Sequence, residues 1–173
     1  MKKIFRLVIS LILLLSVTAC SGNPTPVESE DQTVDNQKKY TCTFSIECST
    51  ILDNLDELDP DKIELVPSNG VILPPTDVTF YEGESVFDVL QRVCKENKIH
   101  LESSGTPMYN SAYIEGIHNL YEFDCGELSG WVYCVNGWYP NYGCSGYQLT
   151  NGEKVEWRYT CDLGKDVGCN EME

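Results

Sequence analysis

Val78-Thr79-Phe80-Tyr81-Glu82-Gly83-Glu84-Ser85-Val86-Phe87-Asp88-Val89-Leu90 is the stretch on which the fold turns. Val78-Thr79-Phe80 is β-rich and is closed by Glu82-Gly83, so it predicts a strand running into a turn. Ser85 then supplies a helix N-cap, and Asp88 stands three residues on, at capping-box spacing. Val86, Val89, Leu90, Val93 and Cys94 fall on one stripe at the helical period, which predicts an amphipathic helix ending near Asn97-Lys98. A helix with one apolar stripe must bury it, and the flanking sequence supplies the partner.

Upstream, Tyr40 to Cys48 alternates, with Cys42, Phe44, Ile46 and Cys48 on one face and Thr41, Thr43, Ser45 and Glu47 on the other. That is the pattern of a half-buried strand. Ile51 to Leu58 reads as a short helical or turn segment stopped by Asp59-Pro60, and Ser68-Asn69-Gly70 as a turn. Downstream, Tyr113 to Ile117 and Trp131 to Val135 are β-rich, the second running into the tight-turn pair Asn136-Gly137. Tyr147 and Leu149 lead to Asn151-Gly152, and Val155, Trp157, Tyr159 and Cys161 then alternate with polar residues, predicting a hairpin into a final strand. Strands, one helix, then strands predict an α+β domain with the helix packed on one face of a mostly antiparallel sheet. The polar tail after Asp162 is expected to be loose.

The start of the chain predicts export. Lys2, Lys3 and Arg6 precede an apolar run from Leu7 to Val17, followed by the small residues Thr18 and Ala19. The run is shorter than the roughly 20 residues that span a bilayer. Val17-Thr18-Ala19-Cys20 resembles the bacterial lipobox, which implies cleavage before Cys20, two acyl chains on its thiol and a lipid-anchored protein on the outer face of the cell membrane. The segments expected are a signal peptide at 1–19, the lipidated Cys20 and a disordered tether at 20–39, a folded domain at 40–164 and a polar tail at 165–173. The tether carries Pro24, Pro26 and four acidic residues with no aromatic. Removal of the signal leaves 9 basic against 27 acidic residues, a net charge of −18. Such a charge repels phosphate backbones, so nucleic acid is excluded as a partner class.

Three stretches together resemble the bacterial domain family named for its similarity to the C-terminal domain of transcobalamin. They are the Val78–Leu90 stretch quoted above, Gly130 to Gly137 followed by Gly143, and Tyr147 to Trp157. The resemblance spans most of Tyr40 to Gly164 and implies a β-grasp-like fold, in agreement with the element order. It also implies a non-catalytic surface protein with a corrinoid such as cobalamin as a possible ligand. The alternative from the same composition is a protein- or glycan-interaction module. Eight cysteines remain after Cys20, an even set that in an exported domain predicts disulfides. Cys125 and Cys144 flank the Trp131–Asn136 strand and its loop and are expected to pair. Cys48 and Cys161 end what a β-grasp makes adjacent parallel strands, so a second bridge is expected there.

Candidate binding residues come from the segment after that strand. Trp138, Tyr139, Tyr142 and Tyr147 sit among Gly137, Pro140, Asn141, Gly143 and Gly146, a loop composition that displays rigid amphipathic rings. Trp131 and Trp157, on strands, are expected in the core. Asp53, Asp56, Glu57, Asp59 and Asp61 lack the glycine and spacing of a calcium loop and read as a solvated face. His100 and His118 carry no metal-ligand pattern, and Ser145 in Gly143-Cys144-Ser145-Gly146 is not a nucleophile elbow. No catalytic residue and no metal ligand is expected.

Overall fold

A computed structural model describes residues 37–106 and 111–169 of the chain. The expected signal peptide, the expected lipidation site Cys20 and nearly all of the expected tether lie outside the described residues. Among the described residues the domain is α+β, with a four-stranded sheet, a three-stranded sheet and one α-helix. Its strands are β1 (Lys39–Glu47), β2 (Val71–Tyr81), β3 (Leu101–Thr106), β4 (Ser111–Ile117), β5 (Leu120–Tyr121), β6 (Gly130–Val135) and β7 (Lys154–Thr160). The helix α1 is Val86–Asn97. The larger sheet has the order β2-β1-β7-β6, with β1 and β7 parallel at its centre and antiparallel neighbours outside. That is the β-grasp arrangement expected from the sequence.

The predicted helix forms for the predicted reasons. Ser85 Oγ accepts from the Asp88 N–H at 3.2 Å, and the Asp88 carboxylate accepts from the Ser85 N–H at 2.8 Å, so both halves of the capping box are present. Lys98, at φ 57°, ends the helix. The stripe Val86, Val89, Leu90, Val93 and Cys94 is buried against Cys42, Phe44 and Ile46 of β1, Val155 and Trp157 of β7, and Ile114 and Ile117 of β4. Each large apolar side chain so buried contributes about 1.5–3 kcal/mol, the main term holding helix to sheet. Cys48, Ile51, Leu58, Leu120, Cys125 and Tyr159 form a second cluster at the end of the sheet, and Cys134, Tyr139, Val167 and Cys169 a third.

Four expectations are corrected. β2 runs from Val71, through Pro74 and Pro75, rather than starting at Val78. Two prolines are tolerated because β2 is an edge strand, and its register to β1 shifts where they sit, between Phe44/Thr76 and Ile46/Leu73. β3 was not expected, since Leu101-Glu102-Ser103-Ser104-Gly105-Thr106 has neither alternation nor β-branched residues apart from its last; pairing to β4 alone makes it a strand. Tyr147 to Leu149 forms no hairpin arm, because β7 takes β6 as its antiparallel partner. The tail is docked as far as Cys169: Val167 and Cys169 are buried, and the Val167 carbonyl accepts from Tyr139 Oη at 2.6 Å and from Arg158 at 2.9 Å.

The cysteine pairing is also corrected. Cys42, Cys48, Cys94, Cys125, Cys134, Cys144, Cys161 and Cys169 are all free thiols. Cys125 and Cys144 belong to different clusters, because β6 between them carries the chain about 20 Å. Cys125 Sγ instead lies 3.5 Å from Cys161 Sγ, while Cys144 Sγ rests against the Ala112 carbonyl at 3.9 Å. Cys48 and Cys161 do share the second cluster, without a bond.

Candidate functional site

The turn Asn136-Gly137 has both residues at positive φ, 52° and 83°, and reverses the chain tightly at the end of β6. Beyond it the loop is fastened at several points. Val86 and Phe87, whose N–H groups have no partner within the helix, donate to the carbonyls of Tyr147 at 2.9 Å and Cys144 at 3.3 Å. Ala112 N–H of β4 donates to Ser145 Oγ at 2.9 Å. At Gly143 the loop presses on β4 so closely that a Cβ there would lie 1.4 Å from Ser111 Oγ. The loop is thus held between the start of α1 and the edge of β4.

Three of the four aromatic candidates come together. Trp138 lies 6.2 Å from Tyr142 and 6.3 Å from Tyr147, and Tyr142 and Tyr147 stack 6.3 Å apart at 12° between planes. Trp138 and Tyr142 are 41% and 45% exposed, whereas Tyr147 is half-buried and donates its hydroxyl to Glu153 at 2.8 Å. Tyr139 is the exception. It is buried in the third cluster, on its hydrogen bond to Val167, and serves packing. From Tyr147 the rings continue inward, to Tyr133 at 6.3 Å and from Tyr133 to Trp157 at 5.5 Å.

Beneath the loop is a cavity of about 630 Å³. Its walls are the β4 residues Ser111 to Ile114, Trp131 to Tyr133 of β6, Trp157, the loop from Tyr139 to Cys144, and Cys169. β6 is the edge of its sheet, so the cavity opens between that edge and the neighbouring β4. Among the described residues no charged side chain lines it. Burial pushes the Cys144 thiol up to about 12, and burial with the nearby Cys144 raises the Tyr133 hydroxyl above its ordinary range. Both therefore stay protonated at neutral pH. The arrangement can bury apolar surface and stack on rings.

The loop composition pointed to Trp138, Tyr142 and Tyr147, but Tyr133, Trp157 and the β4 wall gave no such signal. Trp131 and Trp157 read as core residues; Trp157 is both core and wall, whereas Trp131 is half-buried and lies on the wall, packed against the core. Of the acidic candidates, Asp59 accepts from the Asp61 N–H at 2.9 Å and caps a short 3-10 helix, Pro60–Leu65. The His118 N–H donates to the His100 carbonyl at 2.8 Å, and no group of three or more His, Cys, Asp or Glu suited to a metal occurs among the described residues. No helix among the described residues is long and apolar enough to cross a membrane.

Residues 83–161 match a family described as a domain of unknown function (DUF4430). No curated protein matches the chain. Among solved structures the chain is similar to haptocorrin in complex with Cbi, at 19% identity and a TM-score of 0.54. That likeness covers 73% of this chain and 26% of haptocorrin, so this chain spans about a quarter of that protein. A candidate metal-binding protein from Ruminococcus gnavus ATCC 29149 is also similar, at 16% identity, over 72% of this chain and 97% of that one, with a TM-score of 0.37. At such identities the haptocorrin likeness establishes a shared fold, and the chemistry of the site has to be argued from its own residues.

Proposed function

We propose that this domain is a non-catalytic capture module for a small-molecule ligand, displayed on the outer face of the cell membrane by a lipid on Cys20. The observation that carries the reading is the cavity of about 630 Å³ beneath a loop with exposed aromatic rings. That volume falls within the range of small-molecule sites, roughly 300–1,000 Å³, and such sites are mostly apolar and largely pre-formed. A corrinoid is the leading ligand candidate, supported by the transcobalamin-like stretches and by the fold shared with haptocorrin, whose structure holds Cbi. It would lie on the rings of Trp138, Tyr142 and Tyr147 at the loop. Equilibrium titration of the purified full chain with cobalamin and cobinamide tests this. Saturable quenching of tryptophan emission is expected, and a flat titration at micromolar protein removes corrinoids.

Display of a protein- or glycan-binding surface is the second reading, and one feature favours it. Phe123 and Leu163 are 63% and 65% exposed at positive φ, 68° and 47°, an arrangement bulky residues rarely adopt. They flank exposed Leu128, whose carbonyl accepts from the Leu163 N–H at 3.0 Å. Phe123→Ser with Leu163→Ser would leave small-ligand titrations unchanged and abolish partner binding if that patch is the functional surface.

A further inference from the structure

Three loops meet beside the second core cluster. The Asp59 N–H donates to the Asp124 carbonyl at 2.7 Å, Cys125 Sγ rests on the Asn54 carbonyl at 3.4 Å, and the Leu163 N–H donates to the Leu128 carbonyl at 3.0 Å. Segments 53–62, 122–128 and 162–166 are thereby brought together. The buried Tyr159 fixes their frame: its Oη donates to the Tyr121 carbonyl at 2.7 Å and lies 2.9 Å from Ser129 Oγ, which accepts from the Cys125 N–H at 3.1 Å. On this frame Leu55, Phe123, Leu128 and Leu163 are all exposed. Exposed apolar groups gathered on a preformed frame mark a place where another surface docks.

Charge decides what docks. The three segments carry ten carboxylates and two lysines. Both lysines are engaged, Lys62 with Asp124 at 3.2 Å and Lys165 with Asp162 at 3.3 Å. Asp56, Glu57 and Glu127 are exposed and form no ion pair among the described residues. Glu57 reaches across to the second loop, where a Cβ at Gly126 would lie 2.6 Å from its Oε2. A second copy of the chain would bring the same carboxylates face to face, and an anionic lipid surface would be repelled. A basic partner gains from the same field.

We propose that this surface docks a basic amphipathic protein segment, whose apolar side chains cover Phe123, Leu128 and Leu163 and whose lysines or arginines meet Asp56, Glu57 and Glu127. The inference rests on the second reading above and names the partner's chemistry. Two helical peptides with the same leucine face test it on the unmodified full chain, one with lysine and one with glutamate on the polar face. A third keeps the lysines and replaces leucine by serine. The leucine–lysine peptide is expected to bind at least about tenfold more tightly than either of the others. Its binding should weaken as salt rises, and it should shift the amide signals of Leu128 and Leu163 in ¹⁵N-leucine-labelled protein. Phe123→Ser with Leu163→Ser should weaken it by about tenfold or more, and Glu57→Gln with Glu127→Gln should flatten its salt dependence. The variants are compared at unchanged melting temperature, and the signal shifts need no variant. If the leucine–glutamate peptide binds equally well at Leu128 and Leu163, the basic partner is wrong and the docking reading stands. If no peptide of either charge moves those two signals, both fall. A dimer in sedimentation that Phe123→Ser with Leu163→Ser dissolves gives the surface to a second copy and overturns the proposal.

Discussion

Among the loop aromatics, exposure separates rings open to a ligand from rings that pack. Trp138 and Tyr142 offer contact area in a complex and bury little in the free domain, so Trp138→Ala and Tyr142→Ala should each change stability by about 1 kcal/mol or less while weakening ligand binding. Tyr139 is 8% exposed and its hydroxyl anchors the tail, so Tyr139→Ala should cost about 3 kcal/mol or more. Thermal melts of the three variants rank them directly. A large loss for Trp138→Ala would make that ring a packing residue. The cysteines divide in the same way. Cys125 and Cys161 are close enough that a small side-chain movement would join them, whereas Cys144 is held elsewhere. Exchange with oxidised glutathione, which leaves as two reduced glutathione molecules, should therefore link Cys125 to Cys161 in non-reducing peptide maps. It should be slow at neutral pH, because burial pushes the Cys125 thiol up to about 12 and raises Cys161 as well. A Cys125–Cys144 peptide would contradict the geometry.

Local rules settle the elements whose partners are sequence neighbours. The capping box, the apolar stripe and the helix end near Asn97-Lys98 were legible because each depends on spacing within one helix. Ser85→Ala should remove the side-chain half of the box and cost about 1 kcal/mol, read as a lower urea midpoint with an unchanged slope. Gly70 shows a constraint of another kind. Its φ is 69°, and a Cβ there would sit 2.5 Å from the Ser49 backbone, so Gly70→Ala combines strain with a backbone clash and should cost more than about 1 kcal/mol. The turn at Ser68-Asn69-Gly70 was legible, but its close approach to Ser49 was not. β3 escaped for a similar reason: nothing in Leu101–Thr106 favours a strand until β4 lies beside it.

Taken as a whole, the domain keeps its titratable core groups neutral. Burial raises the thiols of Cys42, Cys48, Cys94 and Cys144 from their ordinary 9.0 to between about 11 and about 12, and raises the Tyr159 hydroxyl above its usual range. Above pH 9 the unfolded chain releases these thiol protons while the folded one retains them. The unfolded state then binds fewer protons, so stability should fall as pH rises from about 9 toward 12 and change little from these groups below pH 8. Urea melts across that range check it, and a flat profile would mean that the thiols are not buried. The sequence by itself determined the α+β class, the helix with its cap, strands β1, β4, β6 and β7, and a loop bearing Trp138, Tyr142 and Tyr147. All of these follow from local periodicity, turn chemistry and composition. Only the tertiary structure decided that Tyr139 turns inward, that Cys125 meets Cys161, that the tail docks, and that β4 stands beside the open edge of β6 to leave a cavity floored by Trp157. Each depends on which residues distant in the chain become neighbours, and a side chain's own sequence context does not carry that information.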